Sequence, residues 1–209
     1  MFVHRSWFQI RNMGHGQDYC HLLDGSIGNW IEKGGPIEEE GKEPSIPMIN
    51  AKDLDLTKPT TYQAVDAMNI VDLDEMKELV SADDPTTTDA IIVDARSRDR
   101  FFGQVEEPRP GMRLGHMPGA KNVFFLDLLD SDNNVNTLKP KEELQKIIED
   151  AGIDLSTDKR IIASCGSGAT ACTVVAALEV CGVPTNQCYV YDGSWSEWGA
   201  LEDTPIVKD

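Results

Sequence analysis

A cysteine followed by a glycine-rich turn is the group in this sequence that is best suited to nucleophilic chemistry. Cys165 follows the apolar run Arg160–Ser164 and precedes the turn Gly166-Ser167-Gly168, after which a helical pattern begins near Thr170. Glycines let successive backbone N–H groups point toward one atom, and the N-terminus of a helix adds partial positive charge there. Such surroundings favour a thiolate over a thiol. We therefore predict that Cys165 is a nucleophile in an anion-binding loop.

The remaining cysteines lack this setting, and we predict that they are ordinary core or surface thiols: Cys20, Cys172, Cys181 and Cys188. The odd total, without a CxxC pair or metal-ligand spacing, argues against a disulfide framework and against a metal site. We predict no metal and no cofactor. Free thiols are typical of a reducing compartment, so the expected location is the cytoplasm, the mitochondrion or both.

The charge balance limits the possible partners. The chain has 209 residues, with 19 Lys and Arg against 36 Asp and Glu, and a formal net charge of −17. Because a general nucleic-acid-binding protein needs a basic surface, we predict no direct nucleic-acid partner. The sequence has no apolar run of the roughly 18 residues that a membrane span requires, so we also predict no membrane partner. An anionic substrate must be bound by a local basic pocket.

Short apolar runs alternate with helical patterns from Thr61 onward, which predicts an α/β fold with a mostly parallel central sheet flanked by helices. Strands are predicted at 62–65, 90–93, around Val123, at Arg160–Ser164 and at Cys188–Tyr191, and helices at 72–80, 142–151 and 170–181. In open α/β sheets, ligands bind at the carboxyl ends of the strands, which is where Cys165 lies in this prediction.

An internal repeat indicates how the chain is organised. The sequence LLDGSIGNW at 22–30 returns as VYDGSWSEW at 190–198, 168 residues later. Each copy follows a helical pattern, a glycine turn and a short apolar stretch that reads as a strand, at 19–23 in the first copy. We predict that residues 1–36 are the C-terminal remnant of a non-catalytic domain, that 37–60 form a linker rich in Pro and Glu, and that 61–209 form the complete catalytic domain.

One strand cannot bury the apolar side chains of the first segment, which are Trp7, Phe8, Ile10, Leu22, Leu23, Ile27 and Trp30. Such side chains bind a partner, dock on the second domain or remain mobile. We expect residues 1–36 to be poorly protected from hydrogen exchange, and we expect Cys165 to be more exposed than in a longer relative.

Four motifs resemble the catalytic domain of the two-domain rhodanese-type sulfurtransferases. They are Val93-Asp94-Ala95-Arg96, Gly115-His116-Met117-Pro118-Gly119-Ala120, Cys165-Gly166-Ser167-Gly168-Ala169-Thr170-Ala171 and Asp192-Gly193-Ser194-Trp195. The Cys-Gly-Ser-Gly loop is similar to that of the 3-mercaptopyruvate sulfurtransferases, whereas thiosulfate-preferring rhodaneses carry basic residues after the cysteine. The resemblance implies a rhodanese-like α/β domain, preceded here by the truncated end of a second one.

The resemblance also implies an activity and a set of site residues. Cys165 would take sulfur from 3-mercaptopyruvate as a persulfide, release pyruvate, and pass the sulfur to thioredoxin, another thiol or cyanide. Arg100 and Arg109 would grip the carboxylate and carbonyl of the substrate, and Ser167 would relay protons or hydrogen-bond the substrate. The cradle for the sulfur would consist of Gly166, Gly168, Ala169 and Thr170.

Other residues are given supporting roles. Asp94 and Arg96 are predicted to form a buried ion pair, and His116 is predicted to be structural. The family's His and Asp partners for the loop serine come from its first domain, and His4, His15 and His21 lie in the wrong region to replace them.

Three alternatives accompany this function. A cysteine phosphatase of the related fold needs an arginine six residues after the nucleophile, and Ala171 occupies that position here. A thiosulfate sulfurtransferase would use the same nucleophile on another sulfur donor. A persulfide carrier or interaction module without independent turnover would also fit a truncated first domain. The acceptor stays open among thioredoxin, cyanide, small thiols and proteins of a tRNA-thiolation pathway.

Overall fold

Five parallel strands form the central sheet of the computed structural model. The structure describes residues 3–15, 20–25, 27–37, 69–81, 84, 87–130 and 134–208. The strands are β1 (Ile70–Val71), β2 (Ala90–Asp94), β3 (Lys121–Asn122), β6 (Arg160–Ser164) and β7 (Cys188–Tyr191), in the spatial order β1-β7-β6-β2-β3. Every adjacent pair among them runs parallel. The predicted α/β class with a mostly parallel sheet is confirmed.

Helices cover both faces of this sheet. Successive side chains of a strand point to opposite faces, and β6 shows the consequence: Ile161 and Ala163 pack in one apolar cluster and Ile162 in the other. The first cluster includes side chains from α5 (Lys141–Asp150) and α6 (Ala171–Cys181). The second includes side chains from α3 (Leu73–Val80) and α7 (Ser194–Trp198).

Most of the predicted elements are confirmed, with boundaries within a few residues. The strands at 90–93, Arg160–Ser164 and Cys188–Tyr191 are present, and the helix expected at 72–80 begins after Asp72, whose side chain accepts the Glu75 N–H. Val123 follows β3 instead of lying in it, and is buried. The predicted strand at 62–65 lies outside the described residues.

Several short elements were not predicted. They are the strand β1, the helices α2 (Ile27–Glu32), α4 (Arg98–Phe101) and α7, the antiparallel pair β4 (Leu129–Asp130) and β5 (Asn134–Leu138), and two 3-10 turns at Phe125–Leu128 and Thr185–Gln187. The strand predicted at 19–23 is wrong for its described part, because residues 20–23 have no strand conformation. A strand needs a hydrogen-bonded neighbour, and residues 20–23 belong to neither described sheet.

The first helix, α1 (Val3–Asn12), lies beside α6 and runs parallel to it. Near the start of α6, His4 Nδ1 lies 3.3 Å from Thr173 Oγ1, and near its end Arg11 pairs with Glu179 at 2.7 Å. Trp7 and Phe8 are buried in the same cluster as α6. Of the three outcomes expected for the apolar residues of this segment, docking on the second domain is the one that Trp7 and Phe8 adopt.

The internal repeat is visible in the structure. A shift of 168 residues places α1 on α6 and Trp30 on Trp198. Both indoles donate to the carbonyl of a proline that follows, Pro36 for Trp30 and Pro205 for Trp198, each at 2.9 Å. The two copies therefore share local contacts as well as sequence. The predicted linker at 37–60 lies outside the described residues apart from residue 37.

Candidate active site

The predicted nucleophile stands at the carboxyl end of β6, in the middle of the sheet. Cys165 is 2% exposed. Its Sγ accepts the backbone N–H of Ser167 at 3.4 Å, so the loop turns back over the sulfur as the glycine pattern predicted. The expected exposure relative to longer relatives stays a prediction, but in this structure the residue is nearly enclosed.

The N-terminal end of α7 holds this loop from one side. The N–H groups of Trp195 and Ser196 donate to the carbonyls of Cys165 and Gly166, at 2.9 and 3.0 Å. Ser194 Oγ accepts the N–H of Cys165 at 3.1 Å, and the Ser194 backbone adopts a φ of 51°, which is unfavourable for a residue with a Cβ. The Asp-Gly-Ser-Trp motif therefore fixes the position of the nucleophile.

Three other cysteines are poor nucleophiles for physical reasons. Burial raises the pKa of Cys172 to about 12 against the opposing effect of nearby Arg5, and burial also raises the pKa of Cys188 to about 12. The pKa of Cys181 is raised by burial as well. Cys172 lies on α6, where its Sγ donates to the Gly168 carbonyl at 3.4 Å. These thiols remain protonated at neutral pH.

The two predicted arginines meet at the loop. A Cβ on Gly166 would lie 3.1 Å from Arg100 Nη2 and 3.7 Å from Arg109 Nη1, so both guanidinium groups border this glycine. Arg109 Nη1 also donates to the Gly166 carbonyl at 3.4 Å, and its side chain is exposed. The structure therefore brings both guanidinium groups to Gly166, the residue after Cys165, and their role in binding a substrate stays a prediction.

Glu107 is a site residue that the sequence reasoning missed. Its carboxylate, 3% exposed, pairs with Arg100 at 2.6 Å and with Arg96 at 2.8 Å. Arg96 is fully buried, pairs with Asp94 at 2.6 Å and stacks on the Trp195 ring at 4.0 Å. The buried Asp94–Arg96 pair is confirmed, and Glu107 extends it to Arg100. The location of Glu107 between the two predicted arginines was the available signal.

A third arginine reaches the loop from α1 and was also not predicted as a site residue. Arg5 Nη1 lies 2.5 Å from Asp192 Oδ1 and 3.4 Å from the Gly168 carbonyl. Gly168 has a φ of 77°, and a Cβ there would lie 2.9 Å from the Asp192 carbonyl oxygen. Glycine at this position is thus required both by the backbone conformation and by the space.

The remaining predicted residues are placed as follows. Ser167 is exposed at the tip of the loop, Ala169 is half-buried, and Thr170 is the residue immediately before α6. His116 is buried, stacked on Phe101 with ring centroids 3.7 Å apart, and bonded through Nδ1 to the Phe101 carbonyl at 2.9 Å, in agreement with a structural role.

The described part of the chain contains no group of three or more His, Cys, Asp or Glu side chains placed to hold a metal ion. Within the same residues, no helix has both the length and the apolar character for crossing a membrane.

Comparisons with known proteins agree with this architecture. The family model described as the rhodanese-like domain matches residues 72–201. The chain is 36% identical to a mitochondrial thiosulfate/3-mercaptopyruvate sulfurtransferase of Arabidopsis thaliana, over 97% of this chain and 52% of that protein. It is also 36% identical to the 3-mercaptopyruvate sulfurtransferase of Escherichia coli K12, over 97% of this chain and 62% of that protein.

Solved structures give the same result. The Tum1 protein of Saccharomyces cerevisiae superposes with a TM-score of 0.75 at 28% identity, covering 99% of this chain and 66% of that one. The crystal structure of SseA from Escherichia coli, a 3-mercaptopyruvate sulfotransferase, gives a TM-score of 0.63 at 30% identity, over 93% of this chain and 62% of that one.

The molecule is thus an α/β protein with a cysteine loop at the carboxyl edge of a parallel sheet. It belongs to the rhodanese-like domain family. The resemblance to 3-mercaptopyruvate sulfurtransferases is confirmed at the level of sequence similarity. The chain spans 52–62% of the length of the curated relatives from Arabidopsis thaliana and Escherichia coli.

Proposed function

We propose that this chain is a sulfurtransferase that takes the sulfur of 3-mercaptopyruvate onto Cys165 and passes it to a thiol. The observation that carries this proposal is the meeting of Arg100 and Arg109 at Gly166, beside a cysteine whose sulfur already accepts a backbone N–H. A nucleophilic sulfur with two adjacent guanidinium groups suits a sulfur donor that carries a carboxylate.

The first half-reaction transfers one sulfur atom. The Cys165 thiolate attacks the sulfur of 3-mercaptopyruvate, an S–S bond forms, and the C–S bond of the substrate breaks. The electron pair of that bond stays on carbon as the enolate of pyruvate, which takes up the proton of the substrate thiol. The products are pyruvate and a Cys165 persulfide anion. In this proposal Arg100 and Arg109 stabilise the carboxylate and the developing enolate oxygen, and Ser167 exchanges the proton.

The second half-reaction restores the enzyme. A thiolate of an acceptor, such as thioredoxin or a small thiol, attacks the outer sulfur of the protonated persulfide and leaves as a persulfide, while Cys165 becomes a thiolate again. Cyanide would accept the same sulfur as thiocyanate. N–H groups of the loop 166–170 hold the outer sulfur between the two steps. The acceptor and a location in the cytoplasm or mitochondrion remain predictions.

The proposal includes the division of the chain into 1–36, 37–60 and 61–209. The 168-residue repeat and the matching indole contacts of Trp30 and Trp198 support the view that residues 1–36 correspond to the end of a second rhodanese-like domain.

Mass spectrometry tests the nucleophile. After incubation with 3-mercaptopyruvate, the intact protein should gain the mass of one sulfur atom, and a reductant should remove it. Cys165→Ser should abolish this gain. The matched control is Cys172→Ser, seven residues further on and equally buried, which should keep it, as should Cys181→Ser and Cys188→Ser. A Cys165→Ser protein that still gains and transfers sulfur would refute the assignment.

The same experiment separates the alternatives. Faster sulfur uptake from thiosulfate than from 3-mercaptopyruvate would favour a thiosulfate sulfurtransferase, the name carried by a relative from Gallus gallus that is 32% identical. Uptake of a single sulfur without repeated release of pyruvate in the presence of a thiol would favour a persulfide carrier.

A further inference from the structure

We infer that Arg5, on α1, is a positioning residue for the sulfur-binding loop, holding the Gly168 carbonyl so that the following N–H faces the sulfur. This inference deepens the proposed function and rests on it. The starting observation is a partly buried contact between distant parts of the chain. Arg5 Nη1 lies 3.4 Å from the Gly168 carbonyl oxygen and 2.5 Å from Asp192 Oδ1, and its side chain is 18% exposed.

The geometry of the peptide bond gives this contact its meaning. In a planar trans peptide, the C=O of Gly168 and the N–H of Ala169 point in opposite directions. Arg5 and the Cys172 thiol both donate to that carbonyl oxygen. The N–H of Ala169 is therefore directed away from these donors. In the inferred arrangement it faces the same sulfur as the Ser167 N–H, which donates to Cys165 Sγ at 3.4 Å.

The loop is built to admit the guanidinium. A Cβ on Gly168 would lie 3.1 Å from Arg5 Nη1 and 2.9 Å from Asp192 Oδ1, so a larger residue would push the ion pair away from the carbonyl. Asp192 comes directly after β7 and orients the guanidinium. The pair thus connects α1, the end of the sheet and the nucleophile loop.

The docked helix presents Arg5 in a fixed position. Trp7 and Phe8 are buried against α6. His4, which precedes Arg5 in the chain, contacts Thr173 on α6. Arg11 forms a second ion pair on the same helix, with Glu179 at 2.7 Å, and donates to Thr185. Arg11 lies near the opposite end of α6 from the loop, so it provides a matched control.

The test compares Arg5→Gln with Arg11→Gln in the full 209-residue chain. Single-turnover persulfide formation is followed by quenched mass spectrometry with 3-mercaptopyruvate and with thiosulfate, and unfolding by urea is measured in parallel. Removing a preorganised hydrogen-bond donor to a developing anion lowers the rate of a reaction by a factor of about 100 or more. Arg5→Gln only weakens the support of such a donor, the Ala169 N–H, so it should slow sulfur transfer about tenfold. The loss of rate should be equal for both sulfur donors, because the loop binds the transferred sulfur from either one. The dependence of the rate on the concentration of 3-mercaptopyruvate should be unchanged. Arg11→Gln should keep the transfer rate within about twofold, because its contacts with Glu179 and Thr185 lie away from the loop, and the parallel urea unfolding reports any loss of stability.

A conservative variant and a second readout complete the test. Arg5→Lys should restore part of the rate, since an ammonium group can still reach the carbonyl. Equal slowing by Arg5→Gln and Arg11→Gln would show that α1 acts only by docking, and would overturn the inference. If the unsubstituted chain gains no sulfur, the proposed function fails first. The loop is then judged by hydrogen exchange of the peptide covering 165–172. Exchange should rise in Arg5→Gln alone, and unchanged exchange would refute the positioning role.

Discussion

At the scale of single residues, the arrangement of Arg100 and Arg109 explains how an acidic protein can bind an anion. Arg100 directs Nε and Nη2 toward Glu107, which fixes the plane of the guanidinium, while the group also borders Gly166. Arg109 is exposed and reaches the same glycine. One guanidinium held by Glu107 and one exposed guanidinium at the same glycine would suit a planar α-keto acid.

Arg100→Ala and Arg109→Ala should each reduce kcat/KM for 3-mercaptopyruvate by about 10- to 100-fold, the value of one charge-assisted hydrogen bond. The loss with thiosulfate should be much smaller, because that donor has no carboxylate. Steady-state kinetics with both donors measure the difference. Arg98→Ala, an exposed change on the same short helix α4, is the control and should leave both values unchanged. Equal losses on the two donors would indicate a structural role.

The chemistry of these residues was predictable to different extents. The glycines around Ser167 indicate a loop, because glycine loses conformational entropy on folding and is favoured only where the backbone must curl. Cys165 could be singled out as the candidate nucleophile from this pattern. Glu107 was harder to single out, since its position between Arg100 and Arg109 was a weak signal in a chain with 36 acidic residues. Its role depends on the fold, which brings Arg96 and Arg100 to the same carboxylate.

At the scale of elements, the docking of α1 changes what is expected of the first segment. Trp7 and Phe8 are 7% and 4% exposed, whereas α2 contains no buried residue. We therefore expect α1 to be protected from hydrogen exchange and α2 to exchange fast, in place of weak protection throughout 1–36. Exchange followed by mass spectrometry resolves the two helices. The buried strand β6 serves as the protected reference. Equal, fast exchange in α1 and α2 would contradict the docked position of α1.

The elements that prediction missed share a physical cause. A strand is defined by its neighbours, so the apolar stretch at 19–23 and the correct strand β7 look alike in sequence although only β7 lies between two partners. The helix α4 has four residues and α7 has five, too short for a hydrophobic period to appear. The long, buried elements β2, β6 and α6 were found because their apolar runs are continuous.

At the scale of the whole molecule, two buried thiols make the free energy of unfolding depend on pH in the alkaline range. The pKa values of Cys172 and Cys188 are raised by burial from 9.0 to about 12. Above the first value the unfolded chain releases these protons while the folded chain keeps them, so the unfolded state binds fewer protons and the free energy of unfolding falls. We expect this decline from pH 9.0 toward about 12.

Urea unfolding at several pH values measures this slope. The double variant Cys172→Ala and Cys188→Ala should be less stable at pH 7, through the cavities it creates, but its stability should fall less steeply above pH 9.0. Cys20→Ala, at a half-buried position, controls for the loss of a thiol in itself. A slope unchanged in the double variant would show that other groups, such as Tyr191, whose pKa is raised by burial and by Glu197, dominate the titration.

The position of α1 has a consequence for how the rate of sulfur transfer is set. Because the helix contacts α6 and the loop through side chains, any release of the helix would be an intramolecular equilibrium governed by an effective concentration. When the helix is bound, Arg5 stands at the loop, and when it is released, the Gly168 carbonyl loses that donor. The occupancy of the bound state then scales the fraction of molecules with a complete sulfur cradle. A change in the length of the chain between α1 and β1, or in the apolar contacts of Trp7 and Phe8, would raise or lower turnover gradually. No atom that touches the substrate would be altered.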